Sequence, residues 1–135
     1  MSAASNYLEN KVLDHVLKVA AYSQPSSLYL GLFTNGSGNA ASNLEAGTLT
    51  DEVSGGSYGR QSVTFAAASG GTSATNATVT FTTASANWGT ITHVAVLDNS
   101  TGGNVLFWGA VTTAKSIDSG DTFQVTSGNL SISLA

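Results

Sequence analysis

The feature that most constrains this chain is a change of hydrophobic period at Pro25. Ahead of it the apolar residues recur with helical spacing; beyond it they alternate with small polar residues in short runs. Over residues 6–21, Leu8, Val12, Leu13, Val16, Leu17, Val19 and Ala20 share one half of a helical wheel. Asn10, Lys11, Asp14, His15 and Lys18 occupy the other half. Glu9 alone intrudes on the apolar side, in the first turn, where the helix dipole favours an acid. Asn6 followed by Glu9 has the form of a capping box with Asn in place of Ser or Thr. The segment 6–21 is expected to be an amphipathic helix that stops before Pro25. Its apolar half is wide enough to lie on a sheet or to enter a partner's groove, and docking on its own domain is the expected arrangement.

After Pro25, Leu28-Tyr29-Leu30-Gly31-Leu32-Phe33-Thr34 places Leu on one face and aromatics with Gly on the other, the pattern of an inner strand. Residues 35–56 are rich in Asn, Gly, Ser and Ala and are too long for a hairpin turn. They are expected to form a long loop or arm, with a short strand around Thr48–Val53. Further strands are expected at 57–67, 77–83, 90–98, 104–112, 122–126 and 129–134. Asn99-Ser100-Thr101-Gly102-Gly103 is a hairpin signal between two of them. Short strands with frequent turn signals and few helices predict a mainly β fold, an antiparallel β-sandwich or jelly roll with one N-terminal amphipathic helix. The length of 135 residues suits a single domain, 1–135.

Composition first decides whether such a chain folds at all. Ala, Ser, Thr, Gly and Asn together supply 79 of 135 residues. The 31 Val, Leu, Ile and Phe residues nevertheless exceed the share at which chains become disordered. Only 9% of residues are charged, against ~25% in ordinary soluble domains. A surface of Thr, Ser and Ala can be covered by a partner with little desolvation of charge, which suits an assembly component. The four cations, Lys11, Lys18, Arg60 and Lys115, cannot form a basic stripe, so neither nucleic acid nor an anionic membrane is an expected partner. No run reaches the ~20 apolar residues of a membrane span. Charges at Glu9, Lys11, Asp14 and Lys18 break any signal-peptide pattern at the N-terminus. With no Cys, a disulfide scaffold and a thiolate metal site are both excluded.

Chemistry-bearing residues are sparse. His93 is expected on a strand face shared with Ile91, Ala95 and Leu97, as a core or interface residue. Glu45 with Asp51 or Glu52 could pair as carboxylates, but all three fall in the long loop, where acids are ordinarily solvated. Asp118 and Asp121, with Asp98, could offer oxygen ligands to calcium, yet they match no calcium-loop spacing, and bonding to turn amides is the simpler expectation. No Gly-x-Ser-x-Gly elbow or phosphate loop occurs. No cofactor, metal site or catalytic residue is expected. Tyr29, Trp88 and Trp108 are aromatic enough for a glycan-stacking platform, although core packing is the ordinary role of such Trp residues.

The order of motifs carries a family resemblance. "SNYLENKVLDHVLK", "SLYLGLFT", "SGGSYGRQSVTF" and "WGTITHVAVLDNSTGGNVLFWGAV" together resemble small virion proteins of tailed bacteriophages. The resemblance covers nearly the whole chain and is weakest over residues 35–50. It implies a β-sandwich module of the kind described as tail-fibre-type proteins, used also as head cement and at the distal ends of tailspikes. It carries no catalytic residue over to this chain.

Three functions follow as expectations. In the leading one, the chain is a non-enzymatic cement protein, a homotrimer that binds the major capsid protein on the outer capsid surface. Its contacts would come from the helix (Leu8, Val12, Val16), the long loop (Glu45, Asp51, Glu52) and the adjoining Tyr58 and Arg60. The alternative is a tail-fibre or tailspike module that reads host surface glycan through Tyr29, Trp88 and Trp108. A small hydrolase or lyase centred on His93 is the third.

Overall fold

The alternation beyond Pro25 forms a five-stranded antiparallel sheet in a computed structural model that describes residues 3–134. In chain order the elements are β1 (Ala3–Ala4), α1 (Asn6–Val16), β2 (Tyr29–Phe33), α2 (Ala40–Glu45), β3 (Gln61–Ser62), β4 (Thr72–Ala74), β5 (Val79–Thr80), β6 (Gly89–Leu97), β7 (Val105–Ile117), β8 (Gln124–Val125) and β9 (Ser131–Ser133). The main sheet has the order β1-β7-β6-β2-β3. Two antiparallel ribbons, β4 with β9 and β5 with β8, share a core with one of its faces. The chain is thus mainly β with one N-terminal helix, as expected, and the layer opposite the main sheet is built from two short ribbons.

Strand β2 obeys its period. Leu30 and Leu32 enter the larger core with Val94, Val96, Phe81 and Trp88. Phe33, on the other face, enters a second core with Ala95, Leu97, Val105 and Leu44. Leu44 comes from α2, so residues 35–56 are a folded lid rather than an arm. Ala40 and Leu44 are four apart and both buried against the sheet. The helix starts where the Ala40 N–H donates to Asn35 Oδ1 at 3.0 Å. The strand expected around Thr48–Val53 reduces to one isolated bridge, Phe33 with Glu52.

Strands β6 and β7 form the expected hairpin. Asp98 Oδ1 accepts from the Asn104 N–H at 2.7 Å, and Oδ2 accepts from the Asn104 amide at 3.0 Å. Gly103 sits at φ 71, where a Cβ would lie 2.6 Å from Asp98 Oδ1, so no other residue fits the turn. A register break farther along sets Thr92 alone against residues 111–114, between the pairs Ile91–Lys115 and His93–Ala110. On one side of this break Ile91 lies in the larger core, whereas Ala95 and Leu97, on the other side, lie in the second one. Simple alternation along the strand would put Ile91 on the same face as His93.

Helix α1 departs from expectation at both ends. Its N-cap is Ser5 rather than Asn6, because Ser5 is also tied to the sheet edge. The Ser5 N–H donates to the Leu106 carbonyl at 2.9 Å, its Oγ donates to the Val105 carbonyl, and Oγ accepts from the Leu8 N–H at 3.3 Å. The helix ends at Val16, well short of residue 21. Lys18 takes φ 65, Val19 N–H donates to the Asp14 carbonyl at 2.8 Å and Lys18 N–H to the His15 carbonyl at 3.3 Å. That pair of bonds is a Schellman turn with Lys at the left-handed position usually held by Gly or Asn.

Candidate functional site

Several residues expected at a partner surface make bonds within the fold. Arg60 Nε and Nη2 donate to the two Glu52 oxygens at 2.7 Å each, a forked pair with side-chain exposures of 3% and 15%. Arg60 Nη1 donates to the carbonyls of Asn99 and Gly102 at 2.7 and 2.8 Å, clamping the β6–β7 hairpin loop. Tyr58 Oη donates to Glu52 Oε2 at 2.8 Å and accepts from the Leu32 N–H at 3.0 Å. Gly31 makes room for this cluster, since a Cβ there would lie 3.2 Å from Glu52 Oε2. Burial, then the nearby Glu52 charge, raises the Tyr58 pKa strongly, so it remains a neutral donor. Burial opposes the Arg60 charge, and the Glu52 carboxylate more than offsets that, leaving its pKa raised.

Asp51 is buried beside α2. Its Oδ2 accepts from Ser37 Oγ at 2.6 Å and its Oδ1 from the Ser37 N–H at 3.0 Å. The Ser37 hydroxyl, above all, holds this carboxyl below its ordinary pKa, against an opposing effect of burial. Glu45, at the end of α2, accepts from Trp108 Nε1 at 2.7 Å and so staples the lid to β7. The loop acids are therefore structural partners rather than a solvated set.

The aromatics do not converge. Trp88 is buried in the larger core, donates to the Gly56 carbonyl at 2.8 Å and packs edge-on against Tyr58 at 5.5 Å. Trp108 is half-buried beside α2, 6.2 Å from the His93 ring. Tyr29 is half-buried at the start of β2. Of the three expected stacking residues, Trp88 is closed off, and Trp108 and Tyr29 keep partial exposure.

His93 Nδ1 pairs with Thr92 Oγ1 at 2.8 Å, and Ser37 and Asp51 are joined directly to each other. Burial lowers the His93 pKa, and the Asp51 charge partly counters this. Among the described residues, no cluster of three or more His, Asp or Glu could hold a metal ion. Asp121 Oδ2 accepts from the Asp118 N–H at 2.9 Å, and Asp98 closes its own hairpin, so these acids serve their turns. Among the described residues, no helix is long and apolar enough to cross a membrane.

What the structure does present is apolar surface. Leu8 docks α1 on the sheet edge and is buried, and Val12 is half-buried. Leu13, Val16, Leu17 and Val19 are 56%, 71%, 68% and 74% exposed. The sequence had put this half of the helix against its own domain; only its first turns are there, because Ser5 fixes the start and the Schellman turn cuts off the rest. A second feature, which no periodicity announces, is a groove of about 430 Å³ between the outer half of β7 and the β8–β9 segment.

The molecule is thus a small β module with a large share of uncovered apolar surface on α1 and along β7. Residues 3–133 match the family model described as podophage GP4 fiber I protein gp80. The chain belongs to that family, and so to the virion structural proteins of tailed phages. No curated protein matches it.

Proposed function

We propose that this chain is a non-enzymatic tail-fibre module that assembles with copies of itself, as a homotrimer, and contacts host surface glycan. The family match over residues 3–133 carries this reading, because it names a fibre protein rather than a head protein. It moves the balance from capsid cement, the leading expectation from sequence, to the fibre alternative. The 9% charge content supports either form of assembly, since a surface of small neutral residues loses little on being covered. For glycan, Trp108 and Tyr29 are the two of the three expected stacking residues that keep exposed area, and Trp108 is already oriented by Glu45. The deciding experiment is imaging of virions carrying a labelled copy of this chain. A fibre module gives label at the tail and copies in the tens. Label spread over the head, with copies in the hundreds bound to the major capsid protein, would overturn the fibre reading in favour of cement.

A further inference from the structure

The exposed part of α1 and the groove along β7 carry apolar side chains and opposite single charges. Leu13, Val16 and Leu17 stand at i, i+3 and i+4, the spacing with which a helix lies in an apolar groove. The apolar part of the groove of about 430 Å³ is Phe107, Val111, Phe123, Val125, Leu130 and Ile132, interleaved with Thr, Gln, Asn and Ser side chains. Such a volume accepts a few aliphatic side chains and is within the range of binding clefts. The helix stripe carries one charge, the exposed Glu9, on the same side as Leu13 and Val16. Among the described residues, the groove lining likewise carries one charge, the exposed Lys115.

We propose that α1 of one copy docks in the β7 groove of a second copy, with Leu13, Val16 and Leu17 as anchors and Glu9 facing Lys115. The helix leaves its own groove open because Ser5 holds its start at the other end of β7, against Val105 and Leu106. Area favours a head-to-tail arrangement. Four aliphatic side chains exposed to this degree present on the order of 400 Å², comparable with the largest apolar patch of a typical monomer. That is about half of what one partner contributes to a stable interface. A subunit that gives its helix to one neighbour and its groove to the other buries both surfaces, and the contact closes into a ring when its rotation permits. This inference rests on the reading of the chain as a self-assembling module.

Charge exchange between the two exposed sites tests it without disturbing the core. The full chain is followed by sedimentation and mass photometry across a concentration series. Glu9→Lys and Lys115→Glu are each expected to weaken association roughly tenfold, since like charges then face each other. The double variant is expected to recover most of that loss. Leu13→Ser with Leu17→Ser should leave a folded monomer by circular dichroism. Assembly that depends on the helix yet ignores Lys115→Glu, or a double variant no better than the singles, overturns the groove as the docking site and points to α1 pairing with itself or with another surface. A wild-type chain that stays monomeric at every concentration overturns the self-assembly reading as well.

Discussion

Arg60 makes four hydrogen bonds, two to Glu52 and two to the hairpin carbonyls, so a single guanidinium joins β3's approach, the loop before it and the β6–β7 turn. Its removal leaves the Glu52 carboxylate without its counter-charge in a mostly buried site. Arg60→Ala is expected to destabilise the fold by about 3–5 kcal/mol, read as a lower urea midpoint. Tyr58→Phe removes the donor to Glu52 and the acceptor for Leu32, and about 1–3 kcal/mol is expected from the groups left unpaired. Asp51 makes a prediction about pH. Its carboxyl has a lower pKa folded than unfolded, so its stabilising effect is complete above the unfolded value of about 3.9 and is lost as pH falls through the folded value. Urea midpoints measured from about pH 5 down to pH 3 should therefore fall less steeply for Asp51→Asn than for the wild type. Equal slopes would mean that the Ser37–Asp51 contact contributes nothing to acid sensitivity.

At the scale of elements, α1 is divided between two roles. Its first turns belong to the fold through Ser5 and Leu8, and its last turn is free of it. Ser5→Ala should cost about 1–2 kcal/mol of stability, because the hydroxyl caps the helix and also bonds the Val105 carbonyl. Val16→Ser or Leu17→Ser, at exposed positions, should move the denaturation midpoint by no more than about 0.5 kcal/mol while reducing self-association. A large loss of stability in those two variants would show that the stripe is covered within the monomer. The lid α2 depends on a comparably small set of contacts, namely Leu44 in the second core, Asn35 at its start and Glu45 on Trp108.

For the whole molecule, the layer of two short ribbons leaves the sheet incompletely covered, and the helix stripe leaves a second apolar area outside. A chain with so few charges has little surface repulsion to keep copies apart. Both features suit the proposed fibre assembly, for which tail-located label with copies in the tens is the expected result.

The alternating period determined a good deal by itself. Leu30 and Leu32 against Phe33 fixed which face of β2 meets which core, and Asn99 to Gly103 marked the hairpin, because side-chain period and turn conformation are local properties. The acids of the turns were legible for the same reason, as Asp98 and Asp121 bond within a few residues of themselves. Other features depend on partners distant in sequence, and only the tertiary structure decided them. Glu52 and Arg60 are eight residues apart, but Arg60 reaches Asn99 and Gly102 only once β6 and β7 have folded over. Glu45 finds Trp108 across 63 positions, which turns a Gly- and Asn-rich loop into a lid. Sequence periodicity showed that α1 has a wide apolar side. Which part of that side is covered was set by Ser5 on the edge of β7 and by a Schellman turn at Lys18, whose left-handed conformation no local residue preference announced.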